Sequence, residues 1–389
     1  MAEPKQTMNE LRHLQSLSLD EKIVKSKQRI FEWYTHFHGQ VYVSFSGGKD
    51  STVLLHLVRQ EFPDVPAVYS ATPDFPEIRE FVSKQENVIT VEPNLPYFQI
   101  VKEYGYPVIS KEVSEAIYYA RRGGAAERER ERESTPFGLG KETVNRRLTL
   151  LGKRPLERGE NYWENLKAMV NMGDLPNTRC LYNKTRWLPL AQMPFKISHY
   201  CCYVMKKLPL QKWQRQNKRY PILGSTTEES NLRTQSWLRH GCNAFDNKKK
   251  VSIPLAFWKE QDILQYIKRY DLEICSAYGD LIECDNKLCY SKCQRTGCIG
   301  CAFGMTQRGD RDRFLKLKET HPKQYDWLIR GGQWVDKPEY DPTLTDEPDI
   351  LGWVPWNPKK IWTPGNGGLG LGKVFDVINE VYGEGYIPY

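Results

Sequence analysis

Short apolar runs alternate with polar turns and amphipathic stretches along most of the chain. Val41, Val43 and Phe45 read as a buried strand, and Thr52 to Val58 continues as an amphipathic helix. Val65-Pro66-Ala67-Val68-Tyr69 predicts a second strand, Glu77 to Lys84 a helix, and Val88 to Val91 a third strand. The rhythm returns at Tyr220 to Gly224, a strand followed by the polar turn Ser225 to Ser230 and a helix carrying Leu232, Arg233 and Trp237. Phe257 to Ile267 predicts another amphipathic helix with acidic residues near its start. Ahead of the first strand, Leu11, Leu14, Leu17, Ile23, Ile30 and Phe31 stand among many charges, which predicts one or two helices covering a sheet edge. Alternating strands and helices predict an α/β fold, a doubly wound parallel sheet with its ligand at the carboxyl ends of the strands.

The turn after the first strand reads Ser46-Gly47-Gly48-Lys49-Asp50-Ser51. Gly47 and Gly48 let backbone N–H groups approach an anion without Cβ interference, and Asp50 or Ser51 can cap the following helix, whose positive end faces that anion. The Gly-x4-Gly-Lys-Ser/Thr spacing of a Walker A loop is missing, so the stretch predicts a different phosphate cradle.

This pattern resembles the pyrophosphate (PP) loop of the N-type ATP pyrophosphatases and the phosphoadenosine phosphosulfate (PAPS) reductase superfamily. The resemblance spans about residues 41 to 330. It is carried further by Asp74-Phe75-Pro76-Glu77-Ile78-Arg79-Glu80-Phe81, by Tyr106 to Glu112, by the paired-cysteine block Lys196 to Leu210, and by a Gly-x-x-x-x-Glu-Ser-x-x-Arg loop from Gly224 to Arg233. It implies an adenine nucleotide alpha hydrolase-like PP-loop domain that binds ATP or an adenylyl sulfate through Ser46, Gly47, Gly48, Lys49, Asp50, Ser51 and Gly224. It implies charge neutralisation by Lys49, Lys111, Lys206 and Arg233, with Asp50 or Glu229 helping to hold Mg²⁺. Where family members carry an Asp/Asn-Thr-Gly turn, this chain has Ser70-Ala71-Thr72-Pro73, which places contacts from that loop in doubt.

Ten cysteines in a chain without a recognisable export signal favour metal or redox chemistry over structural disulfides and point to a cytoplasmic location. Cys201-Cys202 far upstream of Cys298-Ile299-Gly300-Cys301 resembles the layout by which the iron-sulfur branch of the superfamily holds a 4Fe-4S cluster. A three-cysteine cluster with one open iron, zinc held by Cys284, Cys289, Cys293, Cys298 and Cys301, and buried cysteines without metal all stay open. Adenylyl-sulfate reductases attack sulfur with a C-terminal cysteine, and no cysteine follows Cys301 here. Cys242, Cys284, Cys289 or Cys293 would have to supply that thiol.

The expected organisation is N-terminal helices over residues 1–40, a nucleotide-binding α/β domain over 41–283 with a charged helical insertion at about 121–195, and a Cys-rich, Gly/Trp-rich region over 284–389. The Glu127 to Glu133 run of alternating charge reads as a solvated helix rather than a binding site. Gly365 to Val374 imitates Gly-x4-Gly-Lys, but Val374 lacks the required hydroxyl, so the run reads as a turn capping a helix from Val374 to Val381. Trp353, Trp356 and Trp362 read as core packing or domain docking ahead of base stacking. His199 and His240 read as hydrogen-bonded structure ahead of acid/base groups.

The net charge of +8, with 22 tyrosines and 11 tryptophans, is compatible with a nucleic-acid acceptor such as tRNA or DNA. No stretch reaches the roughly 18 uninterrupted apolar residues of a membrane helix. The reading that uses every part is an enzyme that adenylates an acceptor with ATP and then transfers sulfur, drawn from a cluster or from a donor such as a cysteine desulfurase or thioredoxin. An adenylyl-sulfate reductase forming sulfite and a nucleotide-binding adaptor without turnover are the alternatives.

Overall fold

A six-stranded sheet lies at the centre of the first of two compact units in a computed structural model of the chain. The structure describes residues 6–122, 139–157, 159, 161–171, 183–245, 250–306, 311–349 and 351–389. The charged run 127–133 and Arg158 lie outside the described residues. The first unit joins Met1–Asn94 to Val204–Ile299, and the second joins Leu95–Tyr203 to Gly300–Tyr389. Each unit is thus built from two separate stretches of chain. Residues 284–299 belong with the first unit and residues 95–203 with the second, so the units interleave where the sequence suggests consecutive segments.

The sheet of the first unit uses β1 (Val41–Phe45), β2 (Ala67–Ser70), β3 (Val88–Val91), β4 (Tyr220–Leu223), β5 (Asn243–Ala244) and β6 (Val251–Ser252) in the order β3-β2-β1-β4-β6-β5. All pairs are parallel except β5 with β6. Val43 lies beside Ala67 on one flank and Ile222 on the other. β1 is buried on both faces, with Val41 and Val43 on one and Tyr42 on the other, as a strand covered by crossover helices requires. From β1 the chain moves to β2 and β3 on one side and later returns to β4 on the other, which makes the carboxyl end of β1 a topological switch point, where open α/β sheets place ligands.

The Lys49–Glu61 helix returns from β1 to β2 and buries Val53, Leu54, Leu57 and Val58. The N-terminal helices Met8–Ser16 and Leu19–His36 each begin with a capping box, Thr7 with Glu10 and Ser18 with Glu21. Ile30 and Trp33 are fully buried in the same core. The predicted helix at Phe257 instead starts at Glu260. Phe257 and Trp258 are drawn into the core, and the Asp262 carboxylate accepts the Lys259 N–H at 2.6 Å, fixing the first turn there. The Trp258 indole donates to Ser26 Oγ at 2.9 Å, which satisfies the buried N–H.

In the second unit, Val108–Ile109 pairs in parallel with Ala302–Phe303, and Gln333–Asp336 pairs antiparallel with Lys360–Thr363. Within the expected insertion, helices form at Lys141–Leu150 and Tyr162–Asn171 and pack through Val144, Leu148, Tyr162 and Leu166. Arg121 donates to the carbonyls of Leu190, Ala191, Met193 and Phe195 and lies 4.3 Å from the Trp356 ring centroid. The glycine-rich tail packs tightly: a Cβ on Gly368 would sit 2.3 Å from the Arg330 carbonyl oxygen. The final helix runs Leu371–Tyr382 with Gly370 as its N-cap, three residues earlier than predicted. Trp353 is buried, as read from the sequence. Among the described residues no helix is long and apolar enough to cross a membrane.

The buried Lys22 ammonium meets Asp262 at 2.6 Å, so one carboxylate both pairs with a buried charge and caps a helix. Asp262→Ala leaves that charge without its partner. It should lower stability by about 3 kcal/mol or more in urea unfolding, whereas a loss below about 1 kcal/mol would show that the pair is solvated.

Candidate functional site

A cavity of about 330 Å³ opens in the first unit at the carboxyl ends of β1 and β2. Its floor is the Ser46 to Asp50 turn. Gly47 has φ +70°, and a Cβ there would meet methyls of Ile78 and Val82 at 3.0 Å, so glycine is required both for conformation and for space. Ser51 Oγ accepts the Ser46 N–H at 3.2 Å and donates to the Gly48 carbonyl at 2.9 Å, which folds the turn back on itself. The N-cap of the Lys49–Glu61 helix is Gly48, without a side-chain cap. This corrects the expectation that Asp50 or Ser51 caps it: both lie inside the first turn, and the Ser51 hydroxyl is taken by the loop.

Tyr278 closes the turn from a distant part of the chain. Its hydroxyl accepts the Lys49 N–H at 3.1 Å and shares a hydrogen bond with the Thr296 hydroxyl at 3.0 Å. Burial pushes the phenol pKa well up, so it stays protonated and can donate onward to Thr296. The buried Lys49 ammonium donates to the Gln294 carbonyl at 3.0 Å, with Glu260 at 3.4 Å and Asp50 at 3.7 Å. Its charge is therefore balanced by the protein itself.

The wall from β2 answers the doubt raised by Ser70-Ala71-Thr72-Pro73. Ser70 Oγ donates to the Met205 carbonyl at 2.7 Å. Asp74 lines the cavity and is held by Tyr69 Oη at 2.7 Å and Thr72 Oγ1 at 2.6 Å. A carboxylate thus reaches the cavity from this loop despite the altered turn. Burial first, and Asp74 second, push the Tyr69 phenol pKa up, which keeps it a hydrogen-bond donor to that carboxylate.

Of the predicted site residues, Ser46, Gly48, Lys49, Asp50, Lys206 and Glu229 line the cavity. Glu229 accepts the Thr226 N–H at 3.1 Å, pairs with Arg233, and faces Arg295 at 3.6 Å. Burial, and then Arg295, push the Arg233 pKa down, while Asp50 opposes the shift. Gly224 acts by close approach: a Cβ there would meet the Asp50 carbonyl oxygen at 2.8 Å. Lys111 is exposed and begins the Lys111–Arg121 helix, in the second unit. Tyr69, Asp74, Tyr278, Arg295 and Thr296 also line the cavity and were not read from the sequence as site residues. Asp74 heads a block that the resemblance did mark, whereas Arg295-Thr296-Gly297 is overshadowed by the adjacent Cys298 motif.

Cys201 is buried, and Cys202, Cys298 and Cys301 are half-buried. Cys201, Cys202 and Cys301 belong to the second unit and Cys298 to the first. Among the described residues no group of three or more His, Cys, Asp or Glu side chains is arranged to hold a metal ion. Cys284 and Cys289 form a disulfide on the Leu281–Cys284 and Lys287–Tyr290 hairpin, which removes two sulfurs from the five-cysteine zinc set. His199 sits among the rings of Tyr118, Tyr119 and Tyr200 in the second unit, and His240 ends the Asn231–His240 helix; neither lines the cavity.

The family model described as phosphoadenosine phosphosulfate reductase domain matches residues 40–104 and 166–303, more than half of the chain. The matched segments carry the whole cavity. Among solved structures the chain is similar to the crystal structure of phosphoadenylyl-sulfate (PAPS) reductase from Candida auris in its phosphate complex. That match has 12% identity and a TM-score of 0.31, and covers 71% of this chain and 92% of that chain. No curated protein matches the chain.

A Cβ on Gly48 would lie 3.3 Å from both Ser46 Oγ and Tyr278 Oη. The branched side chain of Gly48→Val has no room among these hydroxyls, while the extended backbone at φ −82° accepts it. The variant should stay folded by circular dichroism and lose nucleotide binding by at least about a hundredfold, the cost of displacing an anion from oriented N–H groups. Unchanged affinity would remove the phosphate assignment.

Proposed function

Because the chain belongs to the phosphoadenosine phosphosulfate reductase domain family, we propose that its first unit binds an adenine nucleotide by the phosphates and that the chain is a PP-loop enzyme using ATP for adenylation and sulfur transfer. The observation that carries this reading is the Ser46 to Ser51 loop, which opens at the β1 switch point into a cavity lined by both cations and carboxylates.

In the first step an acceptor oxygen attacks the α-phosphorus of ATP and the bond to pyrophosphate breaks. In the second, a sulfur nucleophile attacks the activated carbon or phosphorus of the acceptor and AMP leaves with the original oxygen. Negative charge grows on the departing pyrophosphate, and Lys206 and Arg295 stand where they can neutralise it. Asp50 and Asp74 are the carboxylates that would hold Mg²⁺, which draws most of its ligands from phosphate and water and would supply further charge neutralisation. Glu229 is less available, being engaged by Arg233 and the Thr226 N–H.

Among the described residues no three His, Cys, Asp or Glu side chains are grouped to hold a metal ion, and the reading does not call on an iron-sulfur cluster. No step is routed through one. The sulfur then comes from a donor protein, such as a cysteine desulfurase or thioredoxin. A polyanionic acceptor, tRNA or DNA, is compatible with the net charge of +8. The reductase alternative needs a thiol at the sulfate, and no cysteine is among the residues lining the cavity.

Exchange of labelled pyrophosphate into ATP, with Mg²⁺ and bulk tRNA or DNA as acceptor, tests the reading. The expected result is exchange by the wild type that disappears in Gly48→Val. Sulfite release from PAPS with thioredoxin would instead assign reduction, and nucleotide binding with neither activity would assign an adaptor.

A further inference from the structure

We propose that Arg295 is an oxyanion-binding residue of the nucleotide site, presented by a strap, Gln294 to Gly297, that is anchored to the phosphate loop. The inference rests on the phosphate-loop reading of the cavity and deepens it.

Three tethers hold the strap. The Gln294 carbonyl accepts from the Lys49 ammonium at 3.0 Å. The Gln294 side chain closes a ring with the Tyr290 backbone, accepting its N–H at 3.2 Å and donating to its carbonyl at 2.6 Å. The Thr296 hydroxyl meets Tyr278 Oη at 3.0 Å, and that same oxygen receives the Lys49 N–H. The strap is thus tied through two different atoms of Lys49, the residue that opens the helix behind the phosphate loop.

Arg295 is the residue between these anchors. Arg295 lines the cavity, yet its guanidinium meets Glu229 Oε2 only at 3.6 Å, beyond hydrogen-bond length, and its side chain stays 58% exposed. Lys49 and Arg233, by contrast, are already engaged by Gln294 and Glu229. A planar guanidinium with several donors, held near a cavity wall and not bonded at short range, suits the oxygens of a phosphate or a pyrophosphate. Glu229 plays the holding part: it keeps the guanidinium over the cavity at low cost and is exchanged for, or bridged by, the ligand's oxygens.

Titration calorimetry on the full chain with ATP, inorganic pyrophosphate and adenosine tests this. Arg295→Ala should weaken ATP and pyrophosphate by about 10- to 100-fold, the size of a charge-assisted pair, and leave adenosine affinity unchanged. Arg295→Lys should recover part of the loss, because it restores the charge without the fork. The melting temperature should stay where it is, since a long, exposed ion pair adds little stability. Equal ATP and pyrophosphate affinity in wild type and Arg295→Ala would overturn the assignment while leaving the phosphate loop standing. A matching loss for adenosine would overturn it in favour of a purely structural strap. A wild type that binds neither ATP nor pyrophosphate would remove the phosphate-loop reading, and this inference with it.

Discussion

The Tyr278 hydroxyl, wedged between the Lys49 N–H and the Thr296 hydroxyl, is the contact on which the site depends. It is a buried phenol whose hydroxyl would cost about 1–3 kcal/mol if left without partners, and so would the amide it receives. Satisfying them together fixes the start of the Lys49–Glu61 helix against a segment some 245 residues later in the chain. The loop and its opposite wall therefore share one geometry. Preorganisation of this kind saves the ordering cost that binding would otherwise have to meet.

Charge is arranged with the same economy. Asp74 is oriented by Tyr69 and Thr72, Glu229 lies between Arg233 and Arg295, and the Lys49 ammonium is turned to Gln294 and Glu260. A cavity lined by Lys206 and Arg295 together with Asp50 and Asp74 offers partners for phosphate oxygens and for a cation travelling with them. A purely basic cavity would attract anions more strongly but would offer a divalent ion nothing.

The second unit is held by backbone capping rather than by a large sheet. Arg121 gathers four carbonyls between Leu190 and Phe195 and stacks on Trp356, which donates its indole N–H to the Met193 carbonyl. Tyr106 Oη donates to the Leu369 carbonyl, so the glycine-rich tail is tied to the segment leading into Val108–Ile109. The glycines there answer to close backbone contact, at Gly368 against Arg330, and not to a nucleotide.

What the sequence determined alone was the part governed by neighbours in the chain. The buried run at Val41 to Phe45, the glycines at 47 and 48 and the amphipathic helix after them all follow from period and backbone freedom, so the parallel α/β core and the glycine turn were legible. The predicted residues that line the cavity, Ser46, Gly48, Lys49, Asp50, Lys206 and Glu229, stood out through local motifs. Tyr278, Arg295 and Thr296 had no such signature, because a hydroxyl or guanidinium acquires its role only when folding brings it beside Lys49 or Glu229. The same holds for Gly224, whose need for glycine comes from the Asp50 carbonyl pressed against it. Helix starts at Glu260 and Leu371 and the interleaving of the two units were likewise decided by tertiary packing. Spacing along the chain could suggest which cysteines belong together, but only the fold places Cys284 against Cys289, since distance in space is set by the packed core and not by the count of residues between them.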